Sequence, residues 1–143
     1  MKRINKESLD AFIKECQTFY VDKHLETIQI YELNSVGDEI KIGNRINVSS
    51  RAIKQTSDSV SLDVRYFWFT CAKLKEEGKS VLMVHNHGNQ SQPSPRDEKS
   101  YENARRIITY CGMDTFMFCI YAPSELFYRV SGEIFDEKRL ELL

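Results

Sequence analysis

The amino-acid sequence predicts an α/β fold of the α+β kind, with a mixed β-sheet of about five or six strands flanked by helices. Three observations predict it: segments with apolar residues at helical spacing, short apolar runs of strand composition, and a length of 143 residues, which suits one domain. We therefore expect a single domain over residues 1–143, with a core at about 25–131, an N-terminal helix at about 5–19 and a tail at 132–143.

Local patterns justify the elements in the first part of the chain. A helix is predicted at 5–19 because apolar residues recur at helical spacing and Asn5 is a suitable N-cap. The segments 27–33 and 40–48 have strand composition on either side of a turn, so they are expected to pair as a hairpin. The polar segment 49–58 is expected to be a loop.

Helices and strands alternate in the rest of the chain. A second helix at 60–77 presents one apolar stripe and stops at Gly78, and an all-apolar strand at 80–84 follows. After a polar loop, a third helix is expected to end at Cys111, before Gly112. The remaining predicted elements are a buried strand at 116–121, its hairpin partner at 125–130, and a loop with a short C-terminal helix at 132–143.

Composition narrows the class of protein. The 20 Lys and Arg residues are balanced by 21 Asp and Glu residues, so the whole chain has no strong attraction for nucleic acid. No apolar run approaches the roughly 18 residues of a membrane helix, and the chain begins with a polar stretch rather than a secretory signal. The four cysteines lack C-x-x-C spacing, which favours structural thiols. We expect a cytoplasmic protein without membrane association.

One segment contains a candidate metal site. His85 and His87 stand two apart where the apolar strand ends, so both imidazoles point to one side, and Asn86 points to the other. Asp97 follows ten residues after His87, in the first turn of the third helix. Two imidazoles and one carboxylate are typical of a catalytic zinc site, because three protein ligands leave a fourth position for water.

The segment that contains Asp97 also has a purely structural interpretation. Ser94, Pro95 and Asp97 form a good helix start, with an N-cap, a proline at the first helical position and an acid beside the positive helix end. The two interpretations are compatible, because a cap that fixes the helix start also fixes the direction of the Asp97 side chain.

Taken together, these residues resemble a known family. The pattern H-x-H, a short polar loop and then S-x-x-D is similar to that of the JAB/MPN zinc metalloproteases, also called JAMM proteins. Within that superfamily, H-N-H followed by P-S-x-x-D is most like the RadC branch. A Glu that opens a strand ending in Leu-Asn-Ser, here Glu26 through Ser35, is also RadC-like. The resemblance covers about 25–131, and it departs from the family at Gly88, where a Pro is usual.

The resemblance implies a cytidine deaminase-like architecture and a Zn²⁺ ion bound by His85, His87 and Asp97. It implies that Ser94 helps to hold the oxyanion, and that a Glu from the first strand moves the proton from the attacking water to the leaving amine. The implied reaction is hydrolysis of a peptide or isopeptide bond, which makes a peptide or a ubiquitin-like protein the candidate substrate. The exposed-looking aromatic residues permit a homodimer.

Three glutamates compete for the role of the base. Glu26 is favoured for its place before the strand. Glu32 shares the strand parity of Ile28 and Ile30, which fits a buried functional acid or an edge-strand acid that faces solvent. Glu39 follows a turn, where a solvated acid is ordinary.

Two other functions stay open at this point. One is a non-catalytic RadC-like binding or scaffold module associated with DNA transactions, although the near-neutral charge argues against strong non-specific DNA affinity. The other is zinc-assisted hydrolysis of a phosphoester, which a mononuclear site makes less favoured than amide hydrolysis.

Overall fold

The computed structural model describes residues 3–21, 25–55, 60–131 and 136–142. Within these ranges the protein is α+β, with one seven-stranded mixed sheet, a separate two-stranded sheet and three α-helices. The helices are α1 (Lys6–Phe19), α2 (Val64–Glu76) and α3 (Pro95–Tyr110). The strands are β1 (Arg3–Ile4), β2 (Ile28–Val36), β3 (Glu39–Ile46), β4 (Ile53–Gln55), β5 (Val60–Leu62), β6 (Ser80–Asn86), β7 (Phe116–Ala122), β8 (Glu125–Ser131) and β9 (Asp136–Glu141).

The large sheet has the strand order β1-β3-β2-β6-β7-β8-β9, so β6 lies at its centre. β2 and β3 form the predicted hairpin, and β7 and β8 form the second predicted hairpin. β6 runs antiparallel to β2 and parallel to β7. Parallel neighbours need a crossover connection, and α3 supplies it.

Two apolar clusters lie on opposite faces of this sheet because successive side chains of a strand alternate. Val81 and Met83 of β6 pack with residues of α2 and α3, and we call this side the α2–α3 face. Leu82 and Val84 pack with Phe12 and other residues of α1, and we call this side the α1 face. The sequence parity along β6 therefore assigns each later residue of the strand to one face.

The three longer predicted helices are confirmed, with one shifted start. α1 begins after Asn5, whose side chain accepts a hydrogen bond from the Ser8 N–H at 2.8 Å, as a helix N-cap does. α2 begins at Val64 rather than at 60, because the Asp63 side chain caps it by accepting from the Tyr66 N–H at 3.0 Å. The residues before this cap, Val60–Leu62, form β5 and pair with β4.

Two of the sequence predictions are wrong, one of a loop and one of a helix. Part of the expected loop at 49–58 forms a short 3-10 helix (Ser50–Ala52) and β4, and residues 56–59 lie outside the described residues. The expected C-terminal helix is a strand, β9, which pairs antiparallel with β8, so the large sheet has seven strands rather than five or six. Leu140 and Leu142 pack against the cluster on the α1 face, and their spacing of two suits a strand. Residues 132–135 lie outside the described residues.

The cysteines are free thiols, and three of them, Cys16, Cys71 and Cys119, are buried. Burial raises the pKa of Cys71 to about 12, so this thiol stays protonated and behaves as an apolar side chain. Within the described residues, no helix is long and apolar enough to cross a membrane.

We expect Phe12→Ala to destabilise the protein by about 3–5 kcal/mol, because its side chain leaves a cavity on the α1 face. Phe12 is 1% exposed, and its ring meets the ring of Tyr31 edge-on at a centroid distance of 4.9 Å. Urea unfolding measures the change. Phe69→Ala is the matched control, because Phe69 is 75% exposed on α2 and should shift the free energy of unfolding by less than about 0.5 kcal/mol. Equal losses in the two variants would show that α1 does not pack as described.

Candidate metal centre

The two histidines lie together at the end of the central strand. His85 is the last β6 residue paired with β2, opposite Ile28, and it also lies opposite Ile120 of β7. His87 follows the strand, and its backbone N–H donates to the Tyr121 carbonyl at 2.8 Å, which keeps the chain extended. The two rings have centroids 5.1 Å apart. As the parity predicts, both imidazoles lie on one side of the strand.

The Asp97 carboxylate bridges the two imidazoles. Its Oδ1 lies 3.0 Å from His85 Nε2, and its Oδ2 lies 3.0 Å from His87 Nε2. Asp97 and His85 are buried, and the side chain of His87 is only 16% exposed. The structure thus brings the three predicted metal ligands together.

The start of α3 determines where this carboxylate lies. The Ser94 hydroxyl oxygen accepts a hydrogen bond from the Asp97 N–H at 3.1 Å, and the Ser94 N–H donates to Asp97 Oδ2 at 2.8 Å. This reciprocal pair is a capping box, and Pro95 occupies the first turn. The helix cap and the placement of Asp97 beside the histidines are therefore one arrangement.

Ser94, the predicted oxyanion donor, is the N-cap of α3 and is half-buried. Its hydroxyl oxygen is used as an acceptor for the Asp97 N–H. A hydroxyl also has one proton to donate, so the capping role leaves this proton free for an acceptor that enters the site.

Among the three candidate bases, the structure brings Glu26 to the histidines. Its Oε1 lies 3.9 Å from His87 Nε2, and ligand atoms of Glu26, His85 and His87 all lie within 4.8 Å of one another. The Glu26 side chain is 15% exposed, so it is sheltered but reachable by water.

The two competing glutamates are engaged elsewhere. Glu32 accepts a hydrogen bond from Lys79 Nζ at 3.1 Å, and it lies opposite Val81, four pairs along the ladder from His85. At strand spacing, four residues correspond to roughly 13 Å. Glu39 accepts from the Asn5 side chain at 3.0 Å, next to the start of α1.

The nitrogen atoms of both rings suit a divalent metal ion. His85 Nε2 is buried without a hydrogen-bond partner among the described residues, although Asp97 Oδ1 lies only 3.0 Å away. Two ligands of one metal ion lie at a similar separation. Ligand atoms about 2.0–2.1 Å from a tetrahedral Zn²⁺ lie roughly 3.3 Å apart.

The tautomer of His87 also suits metal binding. Its Nδ1 lies 3.1 Å from the Gln90 carbonyl oxygen, which can only accept, so Nδ1 holds the ring proton. In the neutral ring, Nε2 then offers its lone pair toward Asp97 and Glu26. A backbone carbonyl in this position is a common outer-shell partner of a metal-bound histidine.

The ionisable groups of the cluster shift one another's pKa values. Burial lowers the pKa of His87, but hydrogen bonding and charge from Asp97 and the charge of Glu26 outweigh it, and the net pKa is raised. Burial would raise the pKa of Asp97, but the two imidazoles and the Ser94 N–H hold it well below its usual range. Asp97 is therefore ionised at neutral pH, as a metal ligand must be.

The loop after His87 is anchored by residues that sequence patterns did not single out. The Ser91 N–H donates to Glu125 Oε1 at 2.7 Å, and this bond lowers the pKa of Glu125. Gln92 contacts Arg139 of β9. No local signal marks Glu125 or Arg139, because the strand pairing of β7, β8 and β9 brings them to this loop.

A comparison with protein-family models finds no match for this chain, and a comparison with curated proteins finds none either.

We expect Asp97→Asn to lower the pKa of His87 in the metal-free protein. The substitution removes the nearest negative charge, while burial, which lowers this pKa, remains. A raised folded-state pKa stabilises the fold at low pH, and this contribution disappears as the pH rises through that pKa, so the variant should lose it. Proton–carbon NMR of the imidazole Cε1–H signals, recorded across the titration, measures the change.

Glu102→Gln on α3 is the matched control for this titration. Glu102 is exposed and pairs with Arg105 at 3.7 Å, away from the histidines. It should leave the His87 titration unchanged. If Asp97→Asn also left it unchanged, the carboxylate would not contact His87 in solution.

Proposed function

We propose that this protein is a zinc-dependent metallopeptidase or isopeptidase of the JAMM type, within a RadC-like JAB/MPN domain. The observation that supports this most is the Asp97 carboxylate, which lies 3.0 Å from both His85 Nε2 and His87 Nε2 with Glu26 beside it. Two imidazoles, a bridging carboxylate and a second, more distant carboxylate match the needs of zinc-assisted hydrolysis.

In this proposal His85, His87 and Asp97 hold the zinc ion. Asp97 is assigned as a ligand rather than Glu26 because its oxygens approach the nitrogens to 3.0 Å, whereas Glu26 Oε1 stays 3.9 Å from His87 Nε2. Bound Zn²⁺ supplies Lewis acidity and makes a water nucleophilic at neutral pH.

The protein's own groups handle the protons and the negative charge. Glu26 accepts a proton from the attacking water and delivers it to the leaving amine, which one carboxylate can do in sequence. The Ser94 hydroxyl donates a hydrogen bond to the oxyanion that forms on the substrate carbonyl. Because Ser94 also caps α3 and holds Asp97, the oxyanion donor and the ligand are fixed by the same turn.

The arrangement of elements supports the JAB/MPN assignment. α2 precedes the strand that ends in the histidines, and α3 begins at the Ser and Asp of the motif. The substrate class follows from the reaction: an extended peptide, or the tail of a ubiquitin-like protein linked through an amide bond. Zinc ligands and base belong to one chain, so the chemistry needs no residue from a second copy.

We expect the protein, purified without chelators, to contain about one zinc ion per chain, and His87→Ala to bind zinc at least about 100-fold more weakly. The loss of one of three ligands exceeds the 10–100-fold effect of outer-shell changes. Competition with a chromogenic chelator measures the affinity. At zinc concentrations 100 times the Kd, binding should raise the free energy of unfolding by about 2.7 kcal/mol.

His87→Ala should not show this stabilisation. The variant is therefore the control for non-specific effects of zinc on stability. A zinc-free wild type, or a His87→Ala variant with unchanged affinity, would refute the metal site.

We expect Glu26→Gln to lower kcat for peptide hydrolysis by about 10²–10⁴-fold while zinc stays bound, because the variant cannot accept a proton. Fluorogenic peptides and an ε-linked lysine isopeptide are suitable substrates. Glu32→Gln is the matched comparison, because Glu32 lies on β2 and is paired with Lys79 rather than with the histidines. Loss of activity in Glu32→Gln alone would assign the base to Glu32.

A zinc-bound wild type that hydrolyses none of these substrates would instead favour the non-catalytic RadC-like module.

A further inference from the structure

Asn86, between the two histidines, bonds to the backbone on both sides of Glu26. Its Oδ1 accepts from the Thr27 N–H at 2.8 Å, and its Nδ2 donates to the Leu25 carbonyl at 3.1 Å. Asn86 is 2% exposed, so its amide is buried, and both bonds are partly buried. A buried amide that satisfies two backbone groups is expensive to replace, because each group left unpaired keeps its desolvation cost.

These two bonds extend the sheet by one step with a side chain. The paired residues of β2 and β6 end at Ile28 and His85. Beyond that point the Asn86 amide provides the donor and the acceptor that a further strand pair would provide. The segment that contains Glu26 is therefore tied to β6 although it lies outside β2.

Strand parity directs Glu26 to the histidines. Asn86 follows Leu82 and Val84 on the α1 face, whereas His85 is on the α2–α3 face. Glu26 shares the parity of Ile28 and Ile30, which pack on the α2–α3 face. Holding residues 25 and 27 from one face thus presents the carboxylate of residue 26 on the other.

The end of α1 adds a second contact to the same segment. Tyr20, which ends α1, lies with its hydroxyl 3.3 Å from the Thr27 carbonyl and 3.3 Å from the Val84 carbonyl. Thr27 is thus held at its N–H by Asn86 and at its carbonyl by Tyr20.

We propose that Asn86 is the positioning residue for Glu26: its side-chain amide clamps the Leu25–Thr27 backbone and so sets the carboxylate beside His87. The role of Glu26 as a base rests on the proposed function, whereas the clamp itself does not. Asn suits the clamp because it offers one acceptor and one donor at a fixed separation. Asp keeps the acceptor but cannot donate to Leu25, and Ala keeps neither.

Amide hydrogen exchange of the wild type, Asn86→Ala and Asn86→Asp tests the clamp without zinc or substrate. In Asn86→Ala we expect the Thr27 amide to exchange at least about 10-fold faster while the amides of β6 keep their protection. Asn86→Asp is nearly isosteric and guards against misfolding of the alanine variant. In Asn86→Asp the Leu25 carbonyl loses its hydrogen bond, so kcat should fall even if the Thr27 amide keeps its protection against hydrogen exchange.

Kinetics then test whether the clamp serves Glu26. We expect both Asn86 variants to lower kcat by about 10–100-fold, because a misplacement near 1 Å can cost 100-fold. KM and zinc affinity should change by less than about threefold, because the ligands stay in place. In a Glu26→Gln background, Asn86→Ala should cause no further loss, since both changes remove the same contribution.

Val130→Ala is the control for lost stability. Val130 is a buried residue of β8 on the α1 face, so its truncation weakens the fold without touching the 25–27 segment. It should leave Thr27 exchange and kcat close to the wild-type values.

Unchanged Thr27 exchange in Asn86→Ala would overturn the clamp. A loss of kcat that adds fully to that of Glu26→Gln would overturn its link to Glu26. If the wild type is inactive and zinc-free, the proposed function is refuted. If Asn86→Ala still speeds exchange of the Thr27 amide in that case, the clamp is supported independently.

Discussion

The contact on which the rest of the site depends is the one between the Asp97 carboxylate and the two imidazoles of His85 and His87. It joins the end of the central strand to the start of α3. The carboxylate accepts a hydrogen bond from the Ser94 N–H. His85 is held by the pairing of β6 with β7, and His87 by the bond from its N–H to the Tyr121 carbonyl. Neither element could move relative to the other without leaving the buried Asp97 carboxylate short of its partners, which is costly.

The second constraint is the alternation of side chains along β6. It places His85 on the face that packs against α2 and α3, and Asn86 on the face that packs against α1. Consecutive residues at the end of β6 therefore contact both layers of the molecule. The histidine–carboxylate cluster lies on one face and the Asn86 side chain lies on the other, so the apolar clusters of both layers stabilise the geometry.

Much of this was predictable because it is local. The spacing of His85, His87 and Asp97, the cap at Ser94 and the two hairpins follow from strand parity, helix-start residues and turn residues. The non-local features were not. Glu26 is favoured from the sequence for its place before the strand, but its position beside the histidines depends on the β2–β6 register. β9 forms by pairing with the free edge of β8. The β4–β5 pair likewise took residues that resemble a loop and a helix start, since pairing between short strands overrides weak local preferences.

The crossover between β6 and β7 has a further meaning for how the chain reaches its fold. β6 and β7 are parallel neighbours, so the chain has to leave one end of the sheet and return along α3 before the two can pair. Asp97 closes the first part of that excursion back onto the strand it has just left, which shortens the loop whose entropy the central pairing must overcome. The residues of the cluster thus lie along the connection through which β6 and β7 become neighbours. A substitution that breaks the contact of Asp97 with the histidines is therefore expected to lengthen the open loop between β6 and β7 as well as to alter the cluster.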